Sequence, residues 1–123
     1  MKETIWVFGS NTQGRHGKGA ALYARKFHGA IYGRAEGMQG TSYAIITKEL
    51  RKGFPKVSLG QVEGGVNKFL KFAKKHKEVN FVVSAIGCGL AGFKPSQIAP
   101  MFEDRPDNVS LPLEFLDVLE GEK

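Results

Sequence analysis

Apolar positions along this chain follow two rhythms. Short continuous runs with β-favouring side chains occur at Glu3 to Phe8, Ser42 to Thr47 (SYAIIT), Asn80 to Ile86 (NFVVSAI) and Asn108 to Leu111. Each predicts a strand, and the scarcity of polar alternation in the first and third predicts strands covered on both faces. Helical spacing fills the intervals. Ala20, Tyr23, Ala24 and Phe27 predict a helix from about Gly17 to Phe27, while Val62, Val66, Phe69, Leu70 and Ala73 predict another from Val62 to His76 with lysines on its outer face. Pro95 and Ser96 open a short helix to about Glu103, because a first turn tolerates proline, and Glu114 to Leu119 predicts a terminal helix. The glycine-rich stretch Gly33 to Gly40 reads as an irregular connection, and Lys48 to Gly60, with Gly53 and Pro55, as a surface loop.

Strands alternating with helices predict an α/β fold with parallel strands, right-handed crossovers and helices on both faces of the sheet. Ligands of such sheets bind outside the carboxyl ends of the strands. Two glycine-rich loops leave such ends. Gly9 to His16 follows the first strand, and Gly87 to Phe93 (GCGLAGF) follows the third. Gly14, Gly17 and Gly19 remove side chains where the first helix begins, so its unpaired N–H groups and dipole favour an anion, with phosphate the natural guest.

Composition narrows the class. The 123 residues fit one domain spanning 1–123, and 41% hydrophobic with 24% charged residues is ordinary for a soluble globular chain. No apolar run approaches the ~20 residues of a membrane span, and Met1-Lys2 leads into a strand rather than a signal-type segment, so the expected location is cytoplasmic with no membrane partner. A single cysteine, Cys88, excludes an intrachain disulfide and a cysteine metal cluster, and no His, Asp and Glu spacing points to a metal or cofactor. The formal charge of +6 suits an anionic partner, either a nucleotide or a nucleic acid. Part of it lies at Lys68, Lys71, Lys74, Lys75 and Lys77, a pattern that also describes a solvated helix face.

Two phosphate chemistries fit poorly. Gly9 and Gly14 are spaced as in a P-loop, but Arg15 and His16 stand where lysine and a hydroxyl residue are needed for the terminal phosphates and magnesium. Gly87-Cys88-Gly89-Leu90-Ala91-Gly92 matches the dinucleotide pattern, yet no acidic residue ends the following strand. Taken together, VFGSNTQGRHGKGAALYARKF, SYAIITK and VVSAIGCGLAGFKPSQIAP resemble the macrodomain family, and SNTQGRHGKGAA with GMQGTSYAIITK resembles a small bacterial and phage group within it. The resemblance implies a three-layer α/β/α sandwich with a mostly parallel sheet. It also implies a site for ADP-ribose or a related nucleotide, free or attached to a macromolecule.

By that resemblance Asn11 sits beside the distal ribose to orient substrate or water. Gly14, Gly17 and Gly19, with Arg15 and His16, line one side of the diphosphate; Gly87, Cys88, Gly89, Leu90 and Ala91 close the other; Phe93 packs near the distal ribose. Imidazole chemistry near neutrality also suits His16 to act as a general acid or base beside Asn11. The acidic residue that commonly contacts adenine has no match. Each residue has a plainer reading. Asn11 suits a turn, the glycines suit positive φ, His16 and Arg15 suit solvent, and Cys88 lacks an identifiable activating neighbour. Thr47 and Lys48 end the second strand at the site edge, where Lys48 either meets substrate, forms an adduct with an aldehyde carbon or is simply exposed. The expected function is ADP-ribose binding with hydrolysis of an ADP-ribosyl bond or of ADP-ribose 1″-phosphate. A non-catalytic nucleotide-signal module and a nucleic-acid-binding protein using the Lys68 to Lys77 face are the alternatives.

Overall fold

A computed structural model describes residues 3–121. β1 (Glu3–Asn11) leads to α1 (Gly19–Phe27), a short β2 (Gly37–Gln39), β3 (Ser42–Lys48), α2 (Leu59–Lys75) and β4 (Val79–Val83). A four-residue α3 (Pro95–Ile98) runs into a 3-10 turn (Ala99–Phe102), then β5 (Val109–Ser110) and α4 (Leu113–Gly121). The sheet order is β2-β3-β1-β4-β5.

β1 is central, as its apolar run predicts. It pairs in parallel with β3 on one side, Phe8 opposite Ala44, and with β4 on the other, Ile5 opposite Phe81. Alternation along β1 then divides the interior. Ile5 and Val7 join Tyr43, Ile45 and Phe81 in the larger core under α2, the 3-10 turn and Phe115 of α4. Phe8 and Ala44 join Ala21, Ala24 and Ala30 in a smaller core under α1, with Trp6 packed against it. Helices therefore cover both faces of a mostly parallel sheet. Among the described residues no helix is long and apolar enough to cross a membrane.

Several expected boundaries move, each for a tertiary reason. The stretch expected to be irregular contains β2, which pairs antiparallel with β3, so the sheet is not parallel throughout. β1 continues past Phe8 because Gly9, Ser10 and Asn11 keep a partner on β3. α1 starts at Gly19 rather than Gly17. α2 starts earlier than Val62, since Ser58 and Gln61 form a reciprocal capping box. β4 stops at Val83, where the Ser84 N–H and hydroxyl both turn to the Val7 carbonyl.

Candidate functional site

The chain leaves β1 toward α1 on one face and leaves β4 toward α3 on the other, and these diverging exits open a crevice at the carboxyl ends of the strands. The crevice is a two-lobed groove. The first lobe, about 420 Å³, is lined by Gly9, residues 18–21 of the α1 start, Thr47, residues 84–91 and Glu114. The second, also about 420 Å³, is lined by Thr47, Lys48, Glu49, Lys56, Val57 and residues 90–93. Thr47, Leu90 and Ala91 belong to both and form the ridge between them.

Close backbone approach builds the floor. A Cβ on Gly9 would lie 3.1 Å from Thr47 Oγ1, and the Thr47 hydroxyl itself donates to the Ser10 carbonyl at 3.2 Å. Gly87 has φ +75°, a conformation open to glycine, and its carbonyl accepts from the Phe93 N–H at 2.8 Å. That bond closes the 87–93 loop over the groove.

Two arrays of backbone donors meet in the first lobe. Lys18 holds the N-cap position of α1 without a side-chain capping bond, and the first turn has no acidic residue, so the helix start presents bare N–H groups. In the 87–93 loop Cys88 donates to Ala85 and Gly92 to Gly89, but among the described residues no acceptor meets the N–H groups of Gly89, Leu90 and Ala91. Unpaired backbone donors at a helix start and in a glycine-rich loop both favour an anion.

The side chains at the groove are unequal in reactivity. Burial pushes the Cys88 thiol above its ordinary range, and the Glu114 carboxylate pushes it further, so the thiol stays protonated. Glu49 is committed to its own loop. The Arg51 guanidinium, the Thr12 hydroxyl and the Arg51 N–H hold its carboxyl down to about 2. Lys48 and Lys56 are the cations of the second lobe, which Phe93 also lines.

The structure brings Gly19, Thr47, Lys48, Gly87, Cys88, Gly89, Leu90, Ala91 and Phe93 together around one groove. Asn11, at the end of β1, and Gly14, Arg15, His16 and Gly17, on the loop before α1, are not among the residues that line the two lobes. Asn11 spends its amide on its own turn, with Oδ1 accepting from the N–H groups of Gln13 and Arg15 and Nδ2 donating to the Arg15 carbonyl at 2.9 Å. Gly14 is packed under the 33–34 turn, where a Cβ would lie 2.5 Å from the Gly33 carbonyl carbon. His16 is fully buried edge-on to Phe8, its Nε2 placed to donate to Arg34 O at 3.0 Å and Gln39 Oε1 at 3.2 Å. Arg15 and Gly17 are exposed on the same loop. The groove also includes residues the sequence reading missed, chiefly Lys18, Glu114 and Lys56. Lys18 directly precedes the glycine helix start, a signal that could have found it; Glu114 and Lys56 arrive from distant segments. Among the described residues no cluster of His, Cys, Asp or Glu is arranged to hold a metal ion.

No protein-family model and no curated protein matches the chain. Solved structures do. A structure of Thermosipho africanus DarTG in complex with ADP-ribose superposes on 95% of this chain with a TM-score of 0.60 at 18% identity, and this chain spans 41% of that chain's length. A macrodomain protein from Streptomyces coelicolor superposes on 90% of this chain and 88% of its own, with a TM-score of 0.57 at 15% identity. The fold is macrodomain-like.

Proposed function

We propose that the groove binds ADP-ribose or a close relative and that the protein hydrolyses an ADP-ribosyl bond held in the second lobe. The observation that carries the binding half is that two segments with unsatisfied N–H groups line the same first lobe, the uncapped start of α1 and the 87–91 loop. A diphosphate has the charge and the reach to accept from both at once, and Lys18 adds a cation at the lip. The likeness to a DarTG structure in complex with ADP-ribose supports the same ligand class.

With the diphosphate held there, the two ends of the ligand fall in the two lobes. The base lies in the first, where the Glu114 carboxylate can accept from an exocyclic amino group. The distal ribose passes the Leu90–Ala91 ridge and packs against Phe93, with Lys48 and Lys56 near the bond to be broken. Two lysines there also suit a terminal phosphate, as in ADP-ribose 1″-phosphate. Catalysis comes from positioning and from fixed donors rather than from an activated thiol or imidazole.

A non-catalytic module is the second reading, favoured by the commitment of Asn11, His16 and Glu49 to bonds outside the groove and by the protonated Cys88. Turnover of an ADP-ribosylated substrate separates the two. Hydrolysis by the wild type, lost in Lys48→Ala with ADP-ribose binding retained, supports the enzyme; binding without turnover in the wild type supports the module.

A further inference from the structure

Among the described residues Tyr23, Phe27, Ile31 and Tyr32 stand out as large apolar side chains that remain exposed within a single stretch, α1 and the turn after it. The aromatic members are held in place. Tyr23 lies 5.0 Å from Phe27 between ring centroids and 5.3 Å edge-on from Trp6, and the Arg25 guanidinium sits 5.6 Å over the Tyr32 ring. Helical geometry of ~100° per residue puts Tyr23 and Phe27 along one edge of α1, Arg25 along the other, and Lys26 on the crest between. Exposures of 46% for Tyr23, 68% for Phe27 and 57% for Tyr32 leave ring surface open to solvent.

The charge of this region is equally one-sided. Between Glu3 and Glu36 the chain carries Arg15, Lys18, Arg25, Lys26 and Arg34, all exposed, and no carboxylate. Of the formal +6, five charges therefore come from this stretch, and the rest of the chain is nearly neutral. The lysine-rich face of α2 is different, since Lys68 is bonded to Glu36 at 3.1 Å. A second copy of this chain would bring the same uncompensated cations and be repelled. Aromatic rings interleaved with cations match a strand that offers bare bases and phosphates together.

We propose that α1 and its flanking turns form a binding surface for single-stranded nucleic acid, with bases on Tyr23, Phe27 and Tyr32 and phosphates on Arg25, Lys26 and Arg34. The side chains named here are not among those that line the groove, and the proposal stands whether or not the groove binds ADP-ribose.

Fluorescence anisotropy with a labelled single strand of about 16 nucleotides, as DNA and as RNA, and with the matching duplex tests it. The wild type binds either single strand more tightly than the duplex, with a log–log salt slope of roughly −2 if three phosphates are neutralised. Phe27→Ala with Tyr32→Ala weakens binding about tenfold or more, and Arg25→Glu with Lys26→Glu removes most of it. Lys71→Glu with Lys74→Glu and the groove variant Gly89→Val change little. Unaltered circular dichroism melting shows that the exposed-site variants are folded. The proposal is overturned by equal or tighter duplex binding, by no binding at low salt, or by a larger loss from the α2 pair. It is also overturned if light scattering shows self-association that Phe27→Ala disperses while oligonucleotides stay unbound.

Discussion

A methyl group on Gly9 would come within 3.3 Å of the Gly87 backbone nitrogen. The end of β1 and the start of the 87–93 loop thus touch backbone to backbone, and the groove floor depends on that contact. Gly9→Ala should push the two apart, lowering stability by about 1 to 3 kcal/mol, the range for overpacked sites, and weakening ligand binding with it. Urea unfolding beside a ligand titration measures both.

His16→Ala should behave as a core lesion. It removes a buried ring with bonds to Arg34 O and Gln39 Oε1, a loss of about 2 to 4 kcal/mol by analogy with other buried truncations. Asn11→Ala loses its turn bonds at about 1 kcal/mol each. In both variants turnover per folded molecule should persist. Turnover abolished at wild-type stability would give His16 or Asn11 a catalytic role.

The strands and the two glycine-rich loops were legible because their signals are local. SYAIIT and NFVVSAI carry β-favouring side chains without interruption, and GCGLAGF follows its strand directly. Which loop residues face the groove was not local. His16 is turned inward by Gln39, whose Nε2 also donates to Arg34 O, and Gln39 is held by an edge strand of three residues that has meaning only once paired with β3. Glu114 likewise reaches the groove from α4, far along the chain from Gly9. The capping box at Ser58 and Gln61 is a local signal of the same kind.

Acid should reveal the Thr12, Glu49 and Arg51 strap. The Glu49 carboxyl is held down to about 2 from an ordinary 4.5, so the folded state loses its carboxylate later than the unfolded state. Its stabilisation is complete above the ordinary value and is lost as pH falls from there toward about 2. The difference in urea midpoint between wild type and Glu49→Gln should therefore shrink across that interval. A constant difference would mean that the strap contributes no ionic stabilisation.

Cys88 should be a sluggish thiol. Burial and Glu114 both raise it, so alkylation by iodoacetamide at neutral pH should be slower than for a free cysteine, and Glu114→Gln should quicken it. Cys88→Ser should retain turnover. Loss of turnover with binding intact would instead give the sulfur a part in the reaction.

The central claim is that the groove between the α1 start and the 87–91 loop holds a diphosphate ligand. Gly89 lines the first lobe and nothing lies within 4 Å of a Cβ built on it, so a side chain can be added at the groove without a clash. Isothermal titration calorimetry of wild type and Gly89→Val against ADP-ribose, with AMP and NAD as comparisons, is the direct measurement. The predicted result is micromolar binding of ADP-ribose by the wild type, weaker NAD, and a loss of at least tenfold in a Gly89→Val protein of unchanged melting temperature. No heat with ADP-ribose, or equal affinity in Gly89→Val, would contradict it.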